Sequence, residues 1–247
     1  MSGHSKWSTI KRQKEANDMA RGKVFGKLSR AISIAVKTGG GENPDTNYKL
    51  RIAIDAARAA NMPKDNIERA ITKGGGPENL EEVVYEGYGL GGIAVMVEAA
   101  TDNRNRTAQE IKNIFERVGG SLAGPGAVSH IFEPKGLLVV DKVSDSEGQL
   151  LELIDLGAED VEETEDGVEV YTNPKSLAQV KAKVEEKGYK ITSSGLIQLP
   201  KNLQKVGDET ASKTLKFLEA LEEHDDVQNV FSNADISEEA AKKAVEE

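Results

Sequence analysis

Apolar positions along the chain follow a helical period up to the second triple glycine, Gly74 to Gly76, and a mixed strand and helix rhythm after it. Residues 1–16 are polar and basic with no sustained apolar period, and read as a flexible arm. From Asn17 or Asp18, both good N-caps, a helix is predicted to about residue 38, where Gly39, Gly40 and Gly41 stop it. Its apolar face is Phe25, Leu28, Ile32, Ala35 and Val36. A second helix fits 46–60, with Asp45 as its cap. Pro63 then opens a third, which ends at Lys73.

Beyond the glycines, residues 83–88 and 93–99 read as strands joined through 89–92, followed by a helix over 107–118 and a strand over 127–132. In that helix Ile111, Ile114, Phe115 and Val118 fall at i, i+3, i+4 and i+7. The next stretch predicts strand 137–141, helix 147–156, a short strand near Val161, strand 168–172, helix 174–187 and strand 189–199. That order is β-α-β-β-α-β, the split ferredoxin-like pattern. A second copy surrounds it, completed by a strand near 203–206, a helix over 208–223 and a strand over 227–232. The expected fold class is α+β: a small N-terminal three-helix domain followed by two ferredoxin-like-type α/β domains, one inserted in the other. The expected boundaries are 1–16 for the arm, 17–77 for the helices, and 78–133 with 202–237 for the outer α/β domain. The inserted domain is 134–201 and the tail is 238–247, with a frayed helix starting from Asp235.

Composition narrows the picture. Aromatic residues are only 4% of the 247, so the cores rest mainly on Leu, Ile, Val and Ala. No apolar run reaches the roughly 18 to 20 residues of a membrane helix, and the basic N-terminus has no apolar signal core, so a cytoplasmic location is expected. The absence of cysteine excludes disulfides, thiolate metal sites and thiol catalysis. The net charge of −10 looks wrong for a partner of nucleic acid, but its distribution is uneven. Residues 1–75 carry 15 Lys and Arg against 7 Asp and Glu, a net of +8, which leaves 17 against 35, or −18, for the rest. Such a split points to an anionic partner held at one end.

Catalytic chemistry is hard to assemble from this sequence. His4, His130 and His224 lack the short-range partners of a zinc site. Gly87, Gly89 and Gly92 match G-x-G-x-x-G but lead into a strand, whereas dinucleotide binding needs a helix N-terminus there, so a glycine-rich hairpin is expected. Residues 119–123 miss the nucleophile elbow at the last position. Residues 141–170 hold 12 acidic side chains against 1 basic, which reads as a solvated face. No catalytic residue, metal, cofactor or small-molecule substrate is expected.

Two constellations suit phosphate. The first is the arm and first helix. Lys6, Lys11, Arg12 and Lys14 precede Arg21, Lys23, Lys27, Arg30 and Lys37, with only Glu15 and Asp18 opposing them through residue 40. Lys23, Lys27, Arg30 and Lys37 fall within an arc of about 80° at helical spacing, with Ile34 among them as the exception. Trp7 sits between Lys6 and Lys11, as a stacking or anchoring residue would. The second is Asn103, Arg104, Asn105 and Arg106 at a helix start, where Thr107 and Glu110 could also form a capping box. The third helix offers no set of base-reading side chains, so backbone binding is better supported than sequence reading.

These segments also carry a resemblance. Gly3-His4-Ser5-Lys6-Trp7, Arg21-Gly22-Lys23, Tyr85-Glu86-Gly87-Tyr88-Gly89 and the loop of residues 102–107 resemble the YebC family along essentially the whole chain. That family includes proteins named probable transcriptional regulators and the mitochondrial translational activator of cytochrome c oxidase. Ser2 and Ser8 depart from it where alanine is common. The resemblance implies three domains, no catalysis, and nucleic acid (DNA or ribosomal RNA) as partner, with the ribosome possible and no membrane. A DNA-binding transcriptional regulator is the leading expectation and a ribosome-associated translation factor the alternative. A protein-interaction adaptor using the acidic domains is more remote.

Overall fold

The computed structural model describes residues 18–76, 80–164, 167–237 and 240, with side chains except those of residues 18–21 and 208. Lys6, Trp7, Lys11, Arg12 and Lys14, and the tail apart from Ala240, lie outside the described residues, as does the side chain of Arg21. Among the described residues three helices come first: α1 Asp18–Thr38, α2 Tyr48–Ala59 and α3 Lys64–Gly74. Their shared core is Ile32, Ala35, Val36, Leu50, Ile54, Ala57, Met62, Ile67 and Ala70, with Phe25 and Leu28 packed at its edge.

Two helix boundaries differ from expectation, each for a packing reason. The cap of α2 is Asn47 rather than Asp45. The Asn47 side chain accepts from the Leu50 amide at 3.0 Å and donates to the carbonyls of Ala35 at 2.7 Å and Gly41 at 2.8 Å. One buried amide thus closes α1 and opens α2. At the other end, α3 runs on into the triple glycine. A Cβ on Gly74 would sit 2.8 Å from the Ser33 Cα, so the glycine permits the close approach of α3 to α1. The Ser33 hydroxyl donates to the Ala70 carbonyl at 2.9 Å across the same contact.

The remaining elements are β1 Glu81–Tyr88, β2 Ala94–Thr101, α4 Arg104–Arg117, β3 Ser121–Ala123, β4 Phe132–Val140, α5 Ser146–Asp155, β5 Asp160–Thr164, β6 Gly167–Thr172, α6 Leu177–Glu186, β7 Ile191–Pro200, β8 Gln204–Lys205, α7 Asp208–Glu223, β9 Val227–Ser232 and β10 Ala234–Asp235. Residues Glu133–Leu199 form one compact unit, and the segments before and after it form the other. In the first unit the strand order is β5-β6-β4-β7, the split β-α-β arrangement expected from the sequence. Leu138, Val140, Leu153, Val168, Val170, Leu177, Val180 and Val184 are buried in it.

The other unit carries a sheet of order β3-β1-β2-β9 in which all neighbours run antiparallel. Three expectations change here. Residues 127–131 form no strand: Ser129–Ile131 is a 3-10 turn, Phe132 already opens β4, and the edge strand is β3. Glu86 explains the turn, because its buried carboxylate accepts the amides of Gly126, Val128 and Ser129 at 2.9, 2.7 and 2.9 Å. Those amides therefore have a side-chain partner instead of a ladder. The exposed dipeptide β8 does not join the four-stranded sheet but pairs in parallel with β10. Beside β2 lies β1, which the tight turn at Leu90–Gly92 delivers there in full register. Asp235, the expected start of a helix, closes β10.

Valines 95 and 97 and Ala99 of β2 pack into one core with Ile111, Phe115, Leu215, Phe217, Leu218, Leu221 and Val230. The rings of Phe115 and Phe217 meet edge-on, with centroids 5.0 Å apart. Met96 and Ala100, which alternate onto the opposite face, are buried as well. Helix α1 packs against β2 and β9.

Candidate nucleic-acid interface

The row of cations on α1 is divided between two uses. Lys23 and Lys37 are exposed. Lys27 and Arg30 are half-buried and face the α/β core of their own unit. The Lys27 ammonium donates to the carbonyls of Glu222 and of Val227, the latter at 2.7 Å. Glu222 lies in the last turn of α7, so the ammonium satisfies a helix-end carbonyl and complements the negative end of the helix dipole. The Arg30 guanidinium donates to the Asp225 carbonyl and stands 3.7 Å from an Asp226 carboxylate oxygen. Ile34, the apolar exception in this arc, is buried. This part of α1 is therefore a docking face, which corrects the expectation that Lys27 and Arg30 lie open to phosphate. Ile34 was the sequence signal for it, since an apolar side chain within a basic arc marks a surface that must be covered.

Asp226 is the residue the sequence did not single out. It lies in the turn between α7 and β9, and its side chain is only 7% exposed. One carboxylate oxygen accepts from the Thr107 hydroxyl at 2.7 Å and from the Arg106 guanidinium at 2.9 Å, while the other faces Arg30. Arg106 also reaches Asp102 at 3.0 Å. Burial pushes the Asp226 carboxyl up, but the hydrogen bonds from Thr107 and Arg106 and the charges of Arg106 and Arg30 outweigh it and hold the pKa below the ordinary value. The two basic constellations, separate in sequence, thus meet at one carboxylate.

Helix α4 starts three residues earlier than expected, at Arg104 rather than Thr107. Asn103 is its cap and accepts from the Arg106 amide at 3.2 Å. The hydroxyl of Thr107 is buried against Thr101 and Asp226, so it cannot cap. Arg104 and Asn105 are exposed, and Arg106 keeps 45% of its side-chain surface accessible.

Among the described residues, Glu110, His224 and Asp226 bring possible metal-ligand atoms within 4.8 Å of one another. Their hydrogen bonds account for the grouping. The Asp226 amide donates to His224 Nδ1 at 3.1 Å, which leaves the proton on Nε2 to be donated to Glu110 at 2.9 Å. The two Asp226 oxygens already face Arg30, Arg106 and Thr107. Each donor atom is engaged with protein, so the residues do not fit a metal. The G-x-G-x-x-G glycines lie in the β1–β2 hairpin, where a Cβ on Gly87 would meet Phe115 and the Ser121 carbonyl, each at 2.6 Å.

Two family models match the chain, the TACO1/YebC protein N-terminal domain over residues 5–77 and the TACO1/YebC second and third domain over residues 80–234. A Dictyoglomus turgidum protein named "Probable transcriptional regulatory protein" is 51% identical over 244 residues, which cover 97% of this chain and 98% of the relative. A Thermotoga maritima protein of the same name is 49% identical over 243 residues, covering 96% and 95%. The crystal structure of a conserved hypothetical protein from Aquifex aeolicus matches with a TM-score of 0.82 and 47% identity, covering 90% of this chain and 93% of that one.

Proposed function

Because this chain belongs to the TACO1/YebC family, we propose that it is a non-catalytic, cytoplasmic, nucleic-acid-binding regulator of gene expression that acts on transcription. Relatives of nearly equal length are named as transcriptional regulatory proteins, which supports that assignment. No helix among the described residues is long and apolar enough to cross a membrane. The observation that carries the proposal is the segregation of charge, a net of +8 in the first 75 residues of a chain whose total is −10. Phosphate backbones attract such a segment by releasing condensed counterions.

Within that proposal the contacts are Lys6, Lys11, Arg12, Lys14, Arg21, Lys23 and Lys37, with Trp7 as anchor. Arg104, Arg106, Asn103 and Asn105 form a second patch. Lys27 and Arg30 are assigned to docking of α1. Titration of duplex DNA and of a ribosomal RNA helix against the full chain tests this, with ribosome sedimentation at low and high salt in parallel. Salt-sensitive duplex binding that is lost in a Lys6/Lys11/Arg12/Lys14→Glu variant is expected. Retained affinity in that variant would refute the contact set. Weak DNA binding alongside salt-sensitive co-sedimentation with ribosomes would move the assignment to translation.

A further inference from the structure

A groove of about 440 Å³ lies between α4 and α7 beneath the β1–β2 turn, away from the residues assigned above. Its apolar floor is the half-buried Leu90, Ile114 and Val118, with Phe217 nearly buried beneath them. Three exposed cations stand around it: Arg117 in the last turn of α4, and Lys213 and Lys216 on α7. Elsewhere in the acidic remainder of the chain, cations are commonly ion-paired, as in Lys112 with Glu116, Lys135 with Glu133 and Glu159, Lys142 with Glu163, Lys187 with Glu152, and Lys190 with Asp141. Among the described residues no ion pair engages Arg117, Lys213 or Lys216. Three such cations around an apolar floor suit a ligand with an apolar part and flanking anions.

We propose that this groove binds one unstacked nucleotide of a single strand, with its base on the apolar floor and its phosphates on Arg117, Lys213 and Lys216. The volume falls within the roughly 300 to 1,000 Å³ of small-ligand sites. Lys213 and Lys216 are three residues apart on one helix face, about one turn, a separation similar to that of neighbouring phosphates on an extended strand. Phosphate pairing along a basic groove is the usual arrangement for single-stranded nucleic acid, and here the base lies against the half-buried Leu90, Ile114 and Val118 rather than on an exposed ring. An acidic amphipathic helix fits less well, since it needs apolar anchors over more than two turns and this groove offers only the half-buried Leu90, Ile114 and Val118. The inference deepens the nucleic-acid assignment by adding a single-strand site distinct from the basic front.

The test uses the full chain, a fluorescent oligouridylate, and a duplex DNA of equal length. Lys213→Glu/Lys216→Glu, both at exposed positions, is expected to weaken oligouridylate binding about tenfold or more and to leave duplex binding within about twofold. Ala220→Trp, which fills the groove without changing charge, is expected to weaken the oligouridylate about threefold or more. Circular dichroism melts confirm that both variants fold. Unchanged oligouridylate affinity in both variants overturns the groove while leaving the basic front standing, provided duplex binding still responds to the arm variant. Failure of the wild type to bind either probe removes both assignments. If oligoglutamate displaces the strand as well as unlabelled oligouridylate does, or if Ala220→Trp has no effect, the groove is only a patch of charge and the nucleotide site is refuted.

Discussion

Asp226 ties together Arg30, Arg106 and Thr107, and its weight in the fold is measurable. Substitution Asp226→Asn removes a nearly buried charge that faces two guanidinium groups, and is expected to cost about 2 to 3 kcal/mol in urea unfolding at neutral pH. The pH dependence has a definite sign. Folding lowers this carboxyl's pKa, so its contribution is present above the unfolded value of about 3.9 and is lost as pH falls through the folded value. The variant should therefore show a shallower loss of stability on the acid side than the wild type, and an equal slope would contradict the assignment. Glu86 behaves alike: burial pushes its carboxyl up, but three backbone amides and the charge of His130 hold it below the ordinary value. Glu86→Gln is expected to cost about 1 to 3 kcal/mol and to speed hydrogen exchange at Gly126, Val128 and Ser129. Neither carboxylate's structural role was legible in the sequence, although Glu86 stands within the Tyr85–Gly89 motif. A lone Asp in a turn and a Glu in a strand look like any solvated carboxylates until the chain brings distant donors to them.

At the level of elements, periodicity was a good guide wherever a helix or strand buries one continuous face. The helix over 208–223 and the strand over 227–232 have the extents read from the pattern, as α7 and β9 do in the structure. Boundaries shifted where contact with another element decided them: the Asn47 cap of α2 bonds the end of α1, and Gly74 lets α3 close on Ser33 of α1. Helix α1 is the informative case, because its basic arc hides a seam. Ile34→Ala should destabilise the protein by about 2 to 3 kcal/mol in denaturant unfolding. Lys23→Ala, on the exposed part of the same arc, should stay within about 0.5 kcal/mol. Comparable effects of the two would mean that α1 is not docked through this arc.

On the scale of the whole molecule, binding to duplex should weaken steeply with salt. With about seven phosphate contacts, affinity is expected to fall by roughly three to four orders of magnitude between 50 and 200 mM salt, as read by fluorescence anisotropy. Salt-independent binding would exclude the charged front as its source. The sequence by itself determined what depends on neighbouring residues: helical and strand periods, the β-α-β-β-α-β order within residues 134–201, and a positive front on an anionic chain. Only the tertiary structure decided which cations are committed, which strand lies beside β2, and where an apolar floor meets Arg117, Lys213 and Lys216. Local pattern states which side chains must be buried or solvated. The partner each one meets is set by contacts between segments far apart in the chain, and one shared carboxylate is enough to turn an open cation into a structural one.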